Sequence, residues 1–123
     1  MLLDSYAWIE FFNGTEKGRE VKKVLKEGKC YTSIISLAEI AEVCSRTDKN
    51  VNDFIDKIKN FSTILFLNET VSTVAGKLNF QRKKVVKGWG MMDSFILATA
   101  LANNLPILTG DKHFKDLPNT KIL

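Results

Sequence analysis

The chain has 123 residues, enough for one domain with a sizeable core. Apolar residues make up 45% and charged residues 26%, which excludes a disordered or fibrous chain. The net charge of +4 suits a polyanionic partner without requiring one. Cys30 and Cys44 form neither a CxxC pair nor a zinc pattern, and they read as buried thiols in a reducing, cytoplasmic setting. The apolar start Met1–Leu3 meets Asp4 at once, so no signal peptide is expected. No apolar run approaches the ~20 residues of a membrane span.

Leu2-Leu3 read as the first strand. Trp8, Ile9, Phe11 and Phe12 share a helical stripe that Asn13-Gly14 closes, and the aromatics on it read as core or dimer contact. Thr15 is placed to cap a charged helix that turns Val21, Val24 and Leu25 inward. Lys29–Thr32 is the second strand. Ser36-Leu-Ala-Glu39 has the form of a capping box and opens a helix carrying Ile40, Val43 and Cys44. Asn50 caps the next helix, with Phe54, Ile55, Ile58 and Phe61. Thr63–Phe66 is a third strand, rich in β-formers.

Asn68-Glu69 starts a long helix whose tail is Gln81-Arg82-Lys83-Lys84. Lys87-Gly88-Trp89-Gly90 reads as a loop. Asp93 begins an apolar helix through Ala102, Pro106–Thr109 is the fourth strand, and Gly110–Phe114 is a turn. Thr120–Leu123 is a short last strand. Helices alternate with strands throughout, which predicts one domain over residues 1–123 built on a parallel sheet with right-handed crossovers.

Four acids, Asp4, Glu39, Asp93 and Asp111, each stand where a strand ends or a helix begins. In a parallel sheet such positions crowd at the carboxyl edge of the strands, where open sheets keep their crevice. Each acid has a local explanation of its own. Asp4 and Asp93 can cap helices, Glu39 can complete the capping box, and Asp111 can close an Asx-turn. Singly, those explanations suffice. Jointly, they do not explain why four acids reach one edge. Carboxylates gathered so closely repel one another unless a hard cation such as Mg²⁺ or Mn²⁺ lies between them. Such an ion can activate a water for attack on a phosphodiester and neutralise charge at phosphorus. No covalent nucleophile is then needed, and the sequence offers no convincing one. The lone histidine, His113, reads as a surface or loop residue.

Competing phosphate and metal motifs fail on their residues. A receiver domain needs paired acids after the first strand and an Asp after the third, where Leu67-Asn68 stand. A haloacid-dehalogenase phosphatase needs Asp-x-Asp, and position 6 is Tyr. Gly88–Asp93 follows a basic run and lacks the last glycine of a dinucleotide fingerprint, and there is no Walker A motif.

Asp4-Ser5 after a first strand, Ser36-Leu-Ala-Glu39, Asp93-Ser-Phe-Ile-Leu-Ala-Thr-Ala and Leu-Thr-Gly-Asp111-Lys-His-Phe114 together resemble the PIN domain, above all its VapC-type toxin ribonucleases. The resemblance runs the length of the chain. It implies a three-layer α/β/α sandwich with a central parallel five-stranded sheet, and Mg²⁺- or Mn²⁺-dependent endoribonuclease activity. Asp4, Glu39, Asp93 and Asp111 would be the catalytic, metal-binding quartet, with Ser5 and Thr109 as supporting polar groups. It further implies a toxin that works as a homodimer and is silenced by a protein antitoxin. A housekeeping RNA-processing nuclease, or a non-catalytic RNA-binding scaffold, would share the fold. Ser94 departs from the pattern, where Ala would be expected. Arg82, Lys83, Lys84 and Lys87 are candidate RNA-binding cations beside the site, or else a solvated helix tail, and Trp89 is a candidate for stacking a base or for packing in a dimer.

Overall fold

The computed structural model describes residues 1–123. Five short parallel strands form one sheet in the order β3-β2-β1-β4-β5. They are β1 (Leu2–Leu3), β2 (Tyr31–Ser33), β3 (Thr63–Leu65), β4 (Ile107–Thr109) and β5 (Thr120–Ile122). The helices are α1 (Ser5–Asn13), α2 (Glu16–Glu27), α3 (Ile34–Arg46), α4 (Val51–Phe61), α5 (Glu69–Lys83) and α6 (Met91–Ala102). No helix is long and apolar enough to cross a membrane.

Strand residues alternate between the two faces of the sheet. Leu3 and Leu108 pack with Trp8, Val21, Leu25, Ile40, Cys44 and Ile58, so α1 to α4 cover one face. Leu2 and Ile107 pack with Trp89, Ile96, Leu97, Ala100 and Phe114, so α6 lies on the other. Val71 and Ala75 of α5 complete that layer against Ala98. The three-layer α/β/α sandwich expected from the sequence is therefore present. Trp8 is fully buried and donates from Nε1 to Thr32 Oγ1 at 3.0 Å, so it belongs to the core. Cys30 and Cys44 are buried free thiols, as expected.

Strand order reverses direction at β1, which pairs with β2 on one side and β4 on the other. Such a switch point parts the loops above it and opens a crevice at the carboxyl ends of the strands. Asp4 leaves β1, and Asp111 follows β4 by two residues. Topology alone thus brings residues 4 and 111 together.

The capping box at Ser36 is not formed. Strand β2 runs on to Ser33, and Ser33 is the cap of α3, accepting from Ile35 N at 3.3 Å. Ser36 lies one turn inside the helix, fully buried, with no partner for its hydroxyl. Ser36→Ala is therefore expected to be neutral or slightly stabilising, because it removes an unsatisfied buried polar atom rather than a cap. A thermal melt checks this: a loss of more than about 3 °C would mean that Ser36 makes a bond in solution.

The helix bearing Asp93 also starts earlier than expected. Its cap is Gly90, and Asp93 sits in the first turn, accepting from the Gly90 N–H at 3.0 Å. The remaining caps match the sequence: Thr15 accepts from Gly18 N, Asn50 from Asp53 N and Asn68 from Val71 N.

Candidate active site

The four acids line one open crevice of ≈ 190 Å³, together with Ser5, Tyr6, Ile9, Ile96 and Phe114. Four separate elements deliver them: the end of β1, the second turn of α3, the first turn of α6 and the turn after β4. Asp4 forms the floor and is 7% exposed. Glu39, Asp93 and Asp111 are half-buried around it.

Asp4 is both a cap and a site residue. Its Oδ1 accepts from Ala7 N at 2.9 Å, which caps α1, and its Oδ2 accepts from the Thr109 hydroxyl. Thr109 Oγ1 in turn accepts from Asp111 N at 2.9 Å. One buried hydroxyl therefore ties the acid after β1 to the acid after β4. Ser5 Oγ donates to Glu39 Oε1 at 3.1 Å and joins α1 to α3. Asp111 closes its own turn by accepting from His113 N at 2.9 Å. Gly110 has a steric reason: a Cβ there would fall 2.0 Å from the Tyr6 ring that walls the crevice.

Burial pushes the Asp4 carboxyl up to about 7, against the hydrogen bonds from Thr109 and Ala7, and the charges of Glu39 and Asp111 push the same way. Burial is likewise the main reason that Glu39 and Asp93 are raised. Asp93 and Asp111 add to the rise at Glu39, and Asp111 adds to it at Asp93. The carboxylates thus lie within electrostatic reach of one another, in a crevice that penalises their charge.

The PIN domain family profile matches residues 1–119. This chain belongs to the PIN domain family. Solved structures share its fold at low identity. A toxin–antitoxin complex from Klebsiella pneumoniae aligns with a TM-score of 0.78 at 21% identity, over 98% of this chain and 94% of that one. VapBC2 from Rickettsia felis, bound to a promoter DNA fragment, aligns with a TM-score of 0.76 at 19% identity, over 99% and 96%. VapC20 from Mycobacterium tuberculosis, a toxin that cleaves the sarcin–ricin loop, aligns with a TM-score of 0.78 at 11% identity, over 96% and 95%. No curated protein sequence matches the chain significantly.

In this PIN domain the basic stretch divides in two. Lys83, Lys84 and Lys87 are exposed. Arg82 is not one of them: it is 9% exposed and binds Asp116 through two hydrogen bonds of 2.7 and 2.8 Å. It also donates to the His113 carbonyl at 3.0 Å and lies 4.5 Å from the Trp89 ring centroid. Its guanidinium is committed inside the fold, because the turn after β4 returns a carboxylate and a carbonyl to it. Trp89 cannot stack a base in this conformation, since it is 3% exposed between Arg82 and Phe114. Ser94 now has a reason: it accepts from Trp89 Nε1 at 2.7 Å and donates to Asn79 Oδ1 at 3.1 Å, a bridge that Ala cannot make.

His113 is the residue the sequence undervalued. The sequence reads it as a surface or loop residue, yet Nδ1 lies 3.4 Å from Asp111 Oδ1 and 3.7 Å from Asp93 Oδ2. The signal was its spacing, two residues beyond an acid in a turn that the acid itself closes.

The division of the basic stretch carries a prediction. Arg82→Ala is expected to lower the melting temperature by roughly 5–10 °C, because it removes charged hydrogen bonds and buried packing. Replacing Lys83, Lys84 and Lys87 together by Ala is expected to leave the melt unchanged, weaken RNA binding and flatten its salt dependence by up to about three counterions. Melts and binding isotherms at several salt concentrations check both halves. An unchanged salt slope for the triple lysine variant would show that these cations only solvate a helix end.

Proposed function

We propose that this protein is a divalent-metal-dependent endoribonuclease, the toxin of a toxin–antitoxin pair, acting in the cytoplasm. The observation that carries the reading is the convergence of four carboxylates, from four elements, on one crevice at the switch point of the sheet. The family supports it, as do the toxin–antitoxin complexes that share the fold.

The donor set fits Mg²⁺ or Mn²⁺. It is made of hard oxygens, and burial and mutual repulsion raise three of the carboxyls in a way that a bound cation would relieve. Asp4, Glu39, Asp93 and Asp111 would hold the ion, with Thr109 and Ser5 fixing the carboxylate orientations. A divalent cation bound there supplies a nucleophilic water of lowered pKa and neutralises charge on the phosphoryl oxygens. The acids hold and orient, and the 3′-oxygen of the cut bond is the leaving group. No side chain has to attack phosphorus: Ser5 Oγ is already engaged by Glu39, and both cysteines are buried outside the crevice. Lys83, Lys84 and Lys87 would hold the RNA backbone. A homodimer and a protein antitoxin complete the reading. Exposed Phe66, Phe80, Val85 and Leu101 offer apolar surface to such partners.

The test is cleavage of a mixed single-stranded RNA pool by purified protein with Mg²⁺, Mn²⁺ or EDTA. Endonucleolytic products are expected with either ion and none with EDTA. Undiminished cutting in EDTA would rule out the metal mechanism, and binding without cutting under every ion would make the protein a scaffold.

A further inference from the structure

We propose that His113 is a nitrogen ligand of the metal centre, which extends the acidic quartet through Nδ1 and biases the site toward first-row ions such as Mn²⁺ over Mg²⁺. This rests on the metal-dependent reading of the crevice. Nδ1 points between two of the carboxylates, at 3.4 Å from Asp111 Oδ1 and 3.7 Å from Asp93 Oδ2. The nitrogen is buried and makes no hydrogen bond, although the side chain is 36% exposed. A buried polar atom without a partner needs an explanation, and an unbound ion is one.

Ligand atoms of Asp93, Asp111 and His113 lie within 4.8 Å of one another. Neighbouring ligands of an octahedral ion at about 2.1 Å are themselves about 3 Å apart. The two distances from His113 Nδ1, 3.4 and 3.7 Å, exceed that spacing by less than about 1 Å. The residue is also held in place. Its N–H donates to Asp111 Oδ1, its carbonyl accepts from Arg82, and its ring rests on Gly88. A Cβ at Gly88 would stand 3.1 Å from Nε2, and the backbone there has φ +86°, so only glycine serves.

A neutral imidazole with its proton on Nε2 presents a lone pair at Nδ1. Mg²⁺ takes oxygen ligands, whereas imidazole nitrogen is a good donor to first-row transition ions. Replacing one hard ligand position by this nitrogen therefore shifts preference between two ions that the carboxylates alone would treat alike. The competing role for His113 is that of a counter-cation to Asp93 and Asp111. That role leaves no nitrogen in the coordination sphere.

The chain has one histidine, so tag-free protein labelled with ¹⁵N-histidine reports on this residue alone. The experiment is electron spin-echo envelope modulation on the Mn²⁺-loaded wild type, labelled and unlabelled. An imidazole ¹⁴N coupling that changes to the ¹⁵N pattern on labelling is expected. In parallel, His113→Gln should lose that coupling and bind Mn²⁺ at least about tenfold more weakly, with Mg²⁺ affinity changed by less than about threefold. Mn²⁺ that binds with no histidine coupling would overturn the assignment and leave the carboxylate site standing. An equal loss for both ions would overturn the selectivity. Failure of the wild type to bind either ion would overturn the metal reading with it. Poor folding of His113→Gln changes none of this, since the labelled wild type decides the ligand question by itself.

Discussion

Asp93→Asn is expected to reduce RNA cleavage by at least about a hundredfold while leaving the fold intact. The two effects separate because the side chain has two roles. One oxygen accepts the Gly90 N–H that begins α6, and Asn retains an oxygen for that bond. What Asn loses is the negative charge that the proposed cation requires. The same comparison in melts tests the site without any substrate. Saturating Mg²⁺, at about a hundred times its dissociation constant, would stabilise the wild type by about 2.7 kcal/mol through mass action and the variant by much less. Growth gives a third readout. Wild type induced in a bacterial host without an antitoxin should arrest it, and Asp93→Asn should not. Equal arrest by both proteins would implicate aggregation or expression burden instead of nuclease activity.

The second large effect concerns Asp4 and pH. Its carboxyl is pushed up to about 7 by burial, against a value near 3.8 in the unfolded chain. The folded state therefore holds this proton more tightly than the unfolded state does. The associated stability is fully present below pH ~4 and is lost as pH rises through about 7. The contribution is on the order of a few kcal/mol. Asp4→Asn removes the titration and keeps an oxygen for the Ala7 N–H. Its melting temperature in EDTA should match the wild type near pH 4 and exceed it by more than about 5 °C near pH 8. Mg²⁺ should shrink that gap by stabilising only the wild type, while the variant has no activity at any pH. A pH-independent difference between the two proteins, or a less stable variant at pH 8, would show that ionised Asp4 costs the fold nothing.

How legible was all this in the sequence? The sheet, the helices and the four acids were, because their signals are local and repeated. Short β-rich runs alternate with amphipathic segments, and an acid that follows a strand is placed by the strand. What misled was local too. Ser-x-x-Glu is a capping pattern wherever it occurs, but one more strand residue moved the cap to Ser33 and left Ser36 inside. Arg82 looked like its lysine neighbours because its partner, Asp116, lies 34 residues away. Trp89 between two glycines reads as a candidate for stacking a base, yet its faces are covered by Arg82, seven residues before it, and by Phe114, 25 residues beyond it. His113 carried no periodicity to read. For Arg82 a long-range contact decided the matter, and such contacts leave no mark on neighbouring letters.

The bond from Thr109 to Asp4 spans 105 residues. Both halves of the crevice are therefore hostage to the pairing of β1 with β4, which joins Leu2 to Ile107 across most of the chain. Local helices can form early, but a junction of this span forms only after most of the chain exists. While the ribosome is still making the segment before β4, Asp4 and Glu39 have no Asp111 to meet. If the crevice is the nuclease centre proposed above, a nascent chain that lacks β4 has no complete site, and the protein would be divisible between α5 and α6 into two pieces that each carry only part of it.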